Sequence, residues 1–384
     1  MKLWWLGLFC SAAFAFSLQN DANQDVQQLV NFGARVSGSK NLENAANYLV
    51  AEYKKIGAEA RVETFLFQRV RDLGSSITVA GQRFTADTLY SANISDIEAQ
   101  AVLIPNFGSQ ADYKGLDLKT RIALVKRGGI TFLEKARAAL NAGAVGVVLV
   151  NSVSGRLSAN LLGEFDIPML AVSGVTGATL LEQAKKTILK IRLIADVQRT
   201  EAIGRNVVAK FSDQNPKLVL GAHFDSVPGS PGANDNASGT AAILEMARRL
   251  APELRQQIYF VSFDAEEDGL IGSNAFVQAM PTSSLDGLKA MLNFDMIAVN
   301  NNLSVGGSSS LVNLIRGLYP QIGRFNDFAG SDHASFLSEG VPAVFFWRGF
   351  DPNYHLPSDS KVNPVLLEET IQIGLGVVKQ LLKQ

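Results

Sequence analysis

The feature that most constrains this 384-residue chain is a set of short apolar runs in its C-terminal half that end in acids or histidines. "KLVLGAHFD" closes on His223 and Asp225, "YFVSFDAEED" on Asp264, Glu266, Glu267 and Asp268, and "MLNFD" on Asp295, while "VFFWRGFDPNYH" leads to Asp351 and His355. Short apolar runs bounded by polar residues read as strands buried on both faces, as in a parallel sheet. Helical spacing separates them over 238–250, after Glu267, over 309–318 and over 364–383. The alternation predicts an α/β domain on a mostly parallel (mixed) sheet covered by helices on both faces. Ile243, Ala247 and Leu250 are expected in its core. Ligands of such sheets gather at the carboxyl ends of the strands, where these acids and histidines fall.

Charged groups collected beside a buried sheet are costly unless something of opposite sign pairs with them. Few basic residues adjoin these acids, so a metal is the expected partner. Histidine and carboxylate without thiols match a catalytic zinc site, and imidazole disfavours calcium or magnesium. One zinc takes three protein ligands, whereas five or more convergent ligands suit a pair about 3.5–4 Å apart sharing a carboxylate. Charge agrees: the four positive charges of two Zn2+ meet Asp235, Glu267, Asp295 and one hydroxide. Glu266, beside a ligand and itself unbound, is left as general base toward the attacking water. Blander readings exist for single residues. Glu266 and Glu267 suit a helix N-terminus, "GSPGANDNASG" suits a turn whose Ser238 caps the next helix, and His333 either lines a pocket or caps a helix with Ser331 and Asp332.

The balance of 35 Lys+Arg against 36 Asp+Glu leaves no electrostatic footprint for nucleic acid or an anionic membrane, so small molecules or peptides are the expected partners. At 47% hydrophobic and 18% charged residues the chain is long enough for two globular domains. The opening "MKLWWLGLFCSAAFAFS" has a positive residue, a short apolar run and an Ala-x-Ala pattern, which read as a signal peptide over 1–15 cleaved after Ala15. The single cysteine, Cys10, falls inside it, which removes disulfides and thiolate ligands. A secreted or periplasmic, soluble protein is expected, and nothing in the sequence fixes its oligomeric state.

Between residues 75 and 198 the chain carries an alternating pattern of its own, from "RIALVKRGG" through "TFLEKARAALNAGA" and "VGVVLVN" to "DIPMLAVSG". It groups no histidines or acids as a site would. "ALVKRGGITFLEKARAALNAGAVGVVLVN" and "IPMLAVS" resemble the protease-associated (PA) domain, which implies a smaller noncatalytic α/β insert. The expected organisation is one main domain over 16–74 and 199–384, the second part carrying the metal site, interrupted by the insert at 75–198.

The C-terminal motifs resemble the zinc exopeptidase family of bacterial leucyl aminopeptidases and glutamate carboxypeptidase II. The resemblance runs through "RVSGSKNLENAANYLVAEYKKIG", "GRNVVAKF", "GAHFDSVPGSPGANDNASGTAAILEMAR", "FDAEEDGLIGS", "NFDM", "SDHASF" and "NYHLPSD", in the family's order. It implies two Zn2+ per chain, with His223 and Asp295 on one, Glu267 and His355 on the other, and Asp235 bridging. It also implies Glu266 as base, Asp225 as the acid that orients His223, and a cis peptide between Asp235 and Asn236. Two features depart from the family: Leu356 follows His355 where threonine is usual, and only 60 positions separate Asp295 from His355. The expected activity is hydrolysis of the N-terminal peptide bond of peptides by hydroxide activated at two metals. A carboxypeptidase or dipeptidase of the same fold would need a cation for the substrate carboxylate, and Arg348 is the candidate. A one-zinc glutaminyl cyclase is disfavoured by the full ligand set, and a noncatalytic binding protein by its retention.

Overall fold

The computed structural model describes residues 22–90, 94–130, 132–152, 155, 166–325 and 330–383. The expected signal peptide lies outside the described residues. The chain forms two compact units, one of residues up to Phe67 with Ala202–Gln384, the other of Gln68–Glu201.

The first unit is built on an eight-stranded mixed sheet. Ile258–Phe263, Leu218–His223, Ala290–Phe294 and Ala343–Trp347 are neighbours in that order and all parallel. Val197–Lys210 pairs antiparallel on one flank and Ser304–Gly307 on the other. Every residue of Leu218–His223 and Ala290–Phe294 is buried, which is why these runs are continuously apolar rather than alternating. Register aligns His223 with Phe263 and Phe294 with Phe346, so the four parallel strands end at one level. The acids and histidines that follow them therefore emerge along one edge.

Helices cover both faces. On one, Lys40–Lys55, Ser238–Arg249 and Pro364–Lys383 bury apolar stripes, with Ile243, Ala247 and Leu250 in the core as expected. Lys40–Lys55 is started by Ser39, whose hydroxyl accepts the Leu42 N–H at 3.2 Å, and ends before Gly57, whose φ of 86° an L residue rarely adopts. On the other face, Ile271–Ala279 and His333–Ser338 pack Phe276 and Phe336 against Phe263.

The second unit has an eight-stranded sheet of its own, in which Ser95–Leu103, Ile122–Lys126, Gly146–Val150 and Met169–Val172 are parallel neighbours. Successive residues enter different cores. Ala123, Val125, Val147 and Leu149 pack with helix Phe132–Asn141, while Ile122, Leu124, Val148 and Val150 pack toward helix Gly174–Ala184.

Candidate active site

Each expected ligand sits at the carboxyl end of a parallel strand or in the loop beyond it. His223 is the last residue of its strand, Asp295 follows Phe294, Glu266 and Glu267 follow Phe263 by three and four positions, and His355 lies in the loop after Trp347. Asp235 comes from the turn before helix Ser238–Arg249, joined to Asn236 by a cis peptide bond.

These side chains come together in overlapping groups. Nε2 of His223 is 3.2 Å from Asp235 Oδ1, 3.4 Å from Asp295 Oδ1 and 4.0 Å from Glu266 Oε2. Nε2 of His355 is 3.1 Å from the other oxygen of Asp235 and 3.2 Å from Glu267 Oε2. Asp235 thus stands between the imidazoles, one oxygen toward each. Donor atoms of His223, Asp235 and Asp295 lie within 4.8 Å of one another, as do those of Asp235, Glu267 and His355, and those of His223, Glu266 and Glu267. His355 Nε2 and Asp295 Oδ1 are buried, yet none of these close approaches has hydrogen-bond geometry at those two atoms. Buried donor atoms that stand close together without hydrogen-bond partners are what a cation would satisfy.

The electrostatics agree. Burial pulls the His223 imidazole down, but Glu266 and Asp295 facing it drive it well above the ordinary range. The His355 imidazole is likewise raised to about 10 against burial by Asp235 and Glu267. Burial pushes the Glu266 carboxyl well up and Glu267 to about 7, whereas the two histidines hold Asp235 below its usual value despite burial. Crowded, desolvated carboxylates call for positive charge.

Further polar groups surround the donors. Asp225 lies 3.3 Å from His223 Nδ1 and accepts the main-chain N–H of Glu266 and Glu267 at 3.3 and 3.1 Å. Ser331 donates to Asp295 Oδ2 at 2.8 Å and accepts from Asn293. Asp359 accepts the N–H of Asn234 and Asp235 at 2.8 and 3.1 Å. Asn234 bonds Asp351 at 2.8 Å, and the ring of Tyr354 stacks on His355 with centroids 3.7 Å apart.

Several expectations need correcting. Asp264, the residue after Phe263, and Asp351, in the loop after Trp347, are potential ligands by sequence but serve main-chain and side-chain donors instead: Asp264 accepts from Ser37 and from the N–H of Arg205 at 2.7 Å, and Asp351 from that of Asn353 at 2.7 Å. Ser331 does not cap the helix His333–Ser338, because its hydroxyl is turned to Asp295, and Asp332 at the N-cap makes no side-chain cap bond. His333 is fully buried with its ring 5.1 Å from Phe345. Ser238 does not cap its helix either, since its hydroxyl donates to Asn234 O at 2.7 Å. Arg348 is 3% exposed, and its guanidinium donates to the carbonyls of Ile297, Asn300, Asn301 and Leu366 and to Glu369. It has nothing left for a substrate carboxylate. The sequence reading passed over Arg35, Asp359 and Tyr354, although "RVSGS" and "NYHLPSD" contain them.

The profile of Peptidase family M28 matches residues 206–373, and that of the PA domain residues 97–180. Aminopeptidase YwaD of Bacillus subtilis is 30% identical over 360 residues, covering 85% of this chain and 76% of that protein. Probable leucine aminopeptidase 2 of Aspergillus fumigatus is 29% identical over 397 residues, covering 89% and 79%. Among solved structures, the aminopeptidase from Aneurinibacillus sp. strain AM-1 superposes with a TM-score of 0.76 at 27% identity, covering 94% of this chain and 93% of that one. With its strand-end cluster of histidines and carboxylates, this chain belongs to peptidase family M28 and carries a PA domain as an insertion.

Proposed function

We propose that the chain is an exported aminopeptidase that holds two Zn2+ and removes the N-terminal residue of peptides. The observation that carries this reading is the position of Asp235, whose two oxygens lie 3.2 and 3.1 Å from the Nε2 atoms of His223 and His355. His223 and Asp295 would hold one ion, Glu267 and His355 the other, with Asp235 shared. Zinc supplies Lewis acidity, stabilising charge on the scissile carbonyl oxygen and making the attacking water more acidic.

The chain's own residues do the rest. Glu266, whose Oε2 lies 4.0 Å from His223 Nε2, is the base whose carboxylate takes the proton of the attacking water and returns it to the leaving amine. Asp225, behind His223, fixes the ring orientation. Consumption of Arg348 by internal bonds favours an aminopeptidase over a carboxypeptidase. Export rests on the N-terminal pattern, and no helix of the described residues is long and apolar enough to cross a membrane.

The test is a panel of peptides with free and blocked N-termini, assayed with and without chelator and after zinc is restored. Cleavage of free N-termini only, lost on chelation and regained with zinc, is expected. Equal cleavage of blocked peptides overturns the specificity, and zinc content well under one ion per chain supports a binding protein instead.

A further inference from the structure

Arg35 lies outside the residues matched by the family profile, and it is fully buried. Its guanidinium is directed at main-chain oxygen. Nε donates to Phe224 O at 2.6 Å, Nη2 to Gly232 O at 2.9 Å, and Nη1 to Pro231 O and, at 3.3 Å, to Leu29 O. Its backbone is tied to the same loop: Arg35 N–H donates to Ser226 Oγ at 3.0 Å, and Ser226 N–H returns to Arg35 O at 3.2 Å. Ser226 Oγ in turn donates to Ser230 O at 2.9 Å.

Phe224 to Gly232 makes up nine of the eleven residues between His223 and Asp235. Three of its carbonyls, at its two ends, meet on a single planar fork, a geometry that a lysine ammonium cannot reproduce. The approach is close: at Gly232, whose φ is 58°, an added Cβ would stand 2.3 Å from Asp235 O and 3.0 Å from Arg35 Nη2. Glycine is therefore required where the fork meets the loop.

We infer that Arg35 is a positioning residue of the metal centre, which clamps the loop from Phe224 to Gly232 so that His223 and Asp235 are presented to one ion at a fixed separation. This rests on the two-zinc reading above. An unclamped loop populates arrangements in which the two donors do not converge, and affinity falls by the fraction that remains competent. A guanidinium acting only through its charge has the opposite effect, because its removal leaves zinc binding unchanged or tighter.

The experiment measures zinc affinity by competition with a chromophoric chelator in folded wild type, Arg35→Lys and Arg35→Met, with thermal unfolding of each metal-free form. Both variants are expected to bind zinc about 10–100-fold more weakly, the range for residues that orient ligands. Kinetics should show kcat falling while KM stays within about threefold, and the visible spectrum of the Co2+-loaded protein should change. Wild-type affinity in folded Arg35→Lys, or tighter binding in Arg35→Met, overturns the inference. Should the arginine variants not fold, Ser226→Ala makes a smaller change, removing the hydroxyl that accepts the Arg35 N–H and donates to Ser230 O while keeping the main-chain bond to Arg35 O; weaker zinc binding supports the clamp and unchanged affinity overturns it. Wild type that takes up no zinc defeats the metal reading itself, an outcome distinct from normal uptake with unaffected variants.

Discussion

The carboxylate of Asp359 accepts the main-chain N–H of Asp235 at 3.1 Å, across 124 positions of sequence. Its other oxygen takes the N–H of Asn234 at 2.8 Å, so a residue four positions beyond His355 holds the peptide that presents Asp235 to both imidazoles. Asp359→Asn turns one of these acceptors into a donor facing an N–H. Zinc affinity should weaken about 10–100-fold, measured by chelator competition on folded protein. Affinity equal to wild type would remove Asp359 from the support of the site.

Glu266→Gln keeps the shape and burial of the side chain and removes its ability to take a proton. Zinc binding should persist, because the two groups of donors around Asp235 do not include Glu266, while kcat drops about 10²–10⁴-fold. Loss of a zinc ion in this variant would instead make Glu266 a ligand, as its place in the third group with His223 and Glu267 allows. Metal analysis beside turnover separates the two outcomes.

What the sequence discloses is set by how far each feature repeats. Strands buried on both faces write themselves as unbroken apolar runs, so the parallel core and the level at which His223, Glu266, Glu267 and Asp295 emerge were legible. Asp264 has the same sequence signature as Asp295, one residue past a buried phenylalanine, yet it faces Ser37 and the Arg205 N–H. Direction at a strand end depends on the neighbouring loop, which no local pattern encodes. Arg35 was silent for a related reason: its partners, Phe224 and Gly232, lie 189 and 197 positions away. Ser331 and Ser238 stood where caps belong, but a buried acid and a buried carbonyl claimed their hydroxyls.

Arg348 bears on specificity by being unavailable. Arg348→Met leaves the carbonyls of Ile297, Asn300, Asn301 and Leu366 without its donors, and a cost of about 3 kcal/mol is expected from the loss of such buried charge-assisted bonds. Thermal unfolding should fall accordingly, while the ratio of kcat/KM for peptides with free and amidated C-termini stays within about twofold. Selective loss on free carboxylates would bring the carboxypeptidase reading back.

In the second unit, Asp72 sets a pH dependence that has nothing to do with metal. Burial pushes its carboxyl up, but the N–H groups of Ser75, Thr88 and Gly74, at 2.8, 2.7 and 2.9 Å, outweigh burial and hold it below the ordinary carboxylate value. A folded pKa below the unfolded one, about 3.9, means that the ionised group stabilises the fold above that value and ceases to do so as pH falls through the folded pKa. Asp72→Asn should therefore lower the unfolding temperature at neutral pH, and the gap from wild type should close as the solution is acidified below about pH 4. Calorimetry of the full-length chain and the variant across this range reads both effects. A gap that stays constant with pH would assign the stabilisation to the shape of the turn at Gly74 and Ser75 rather than to the charge on Asp72.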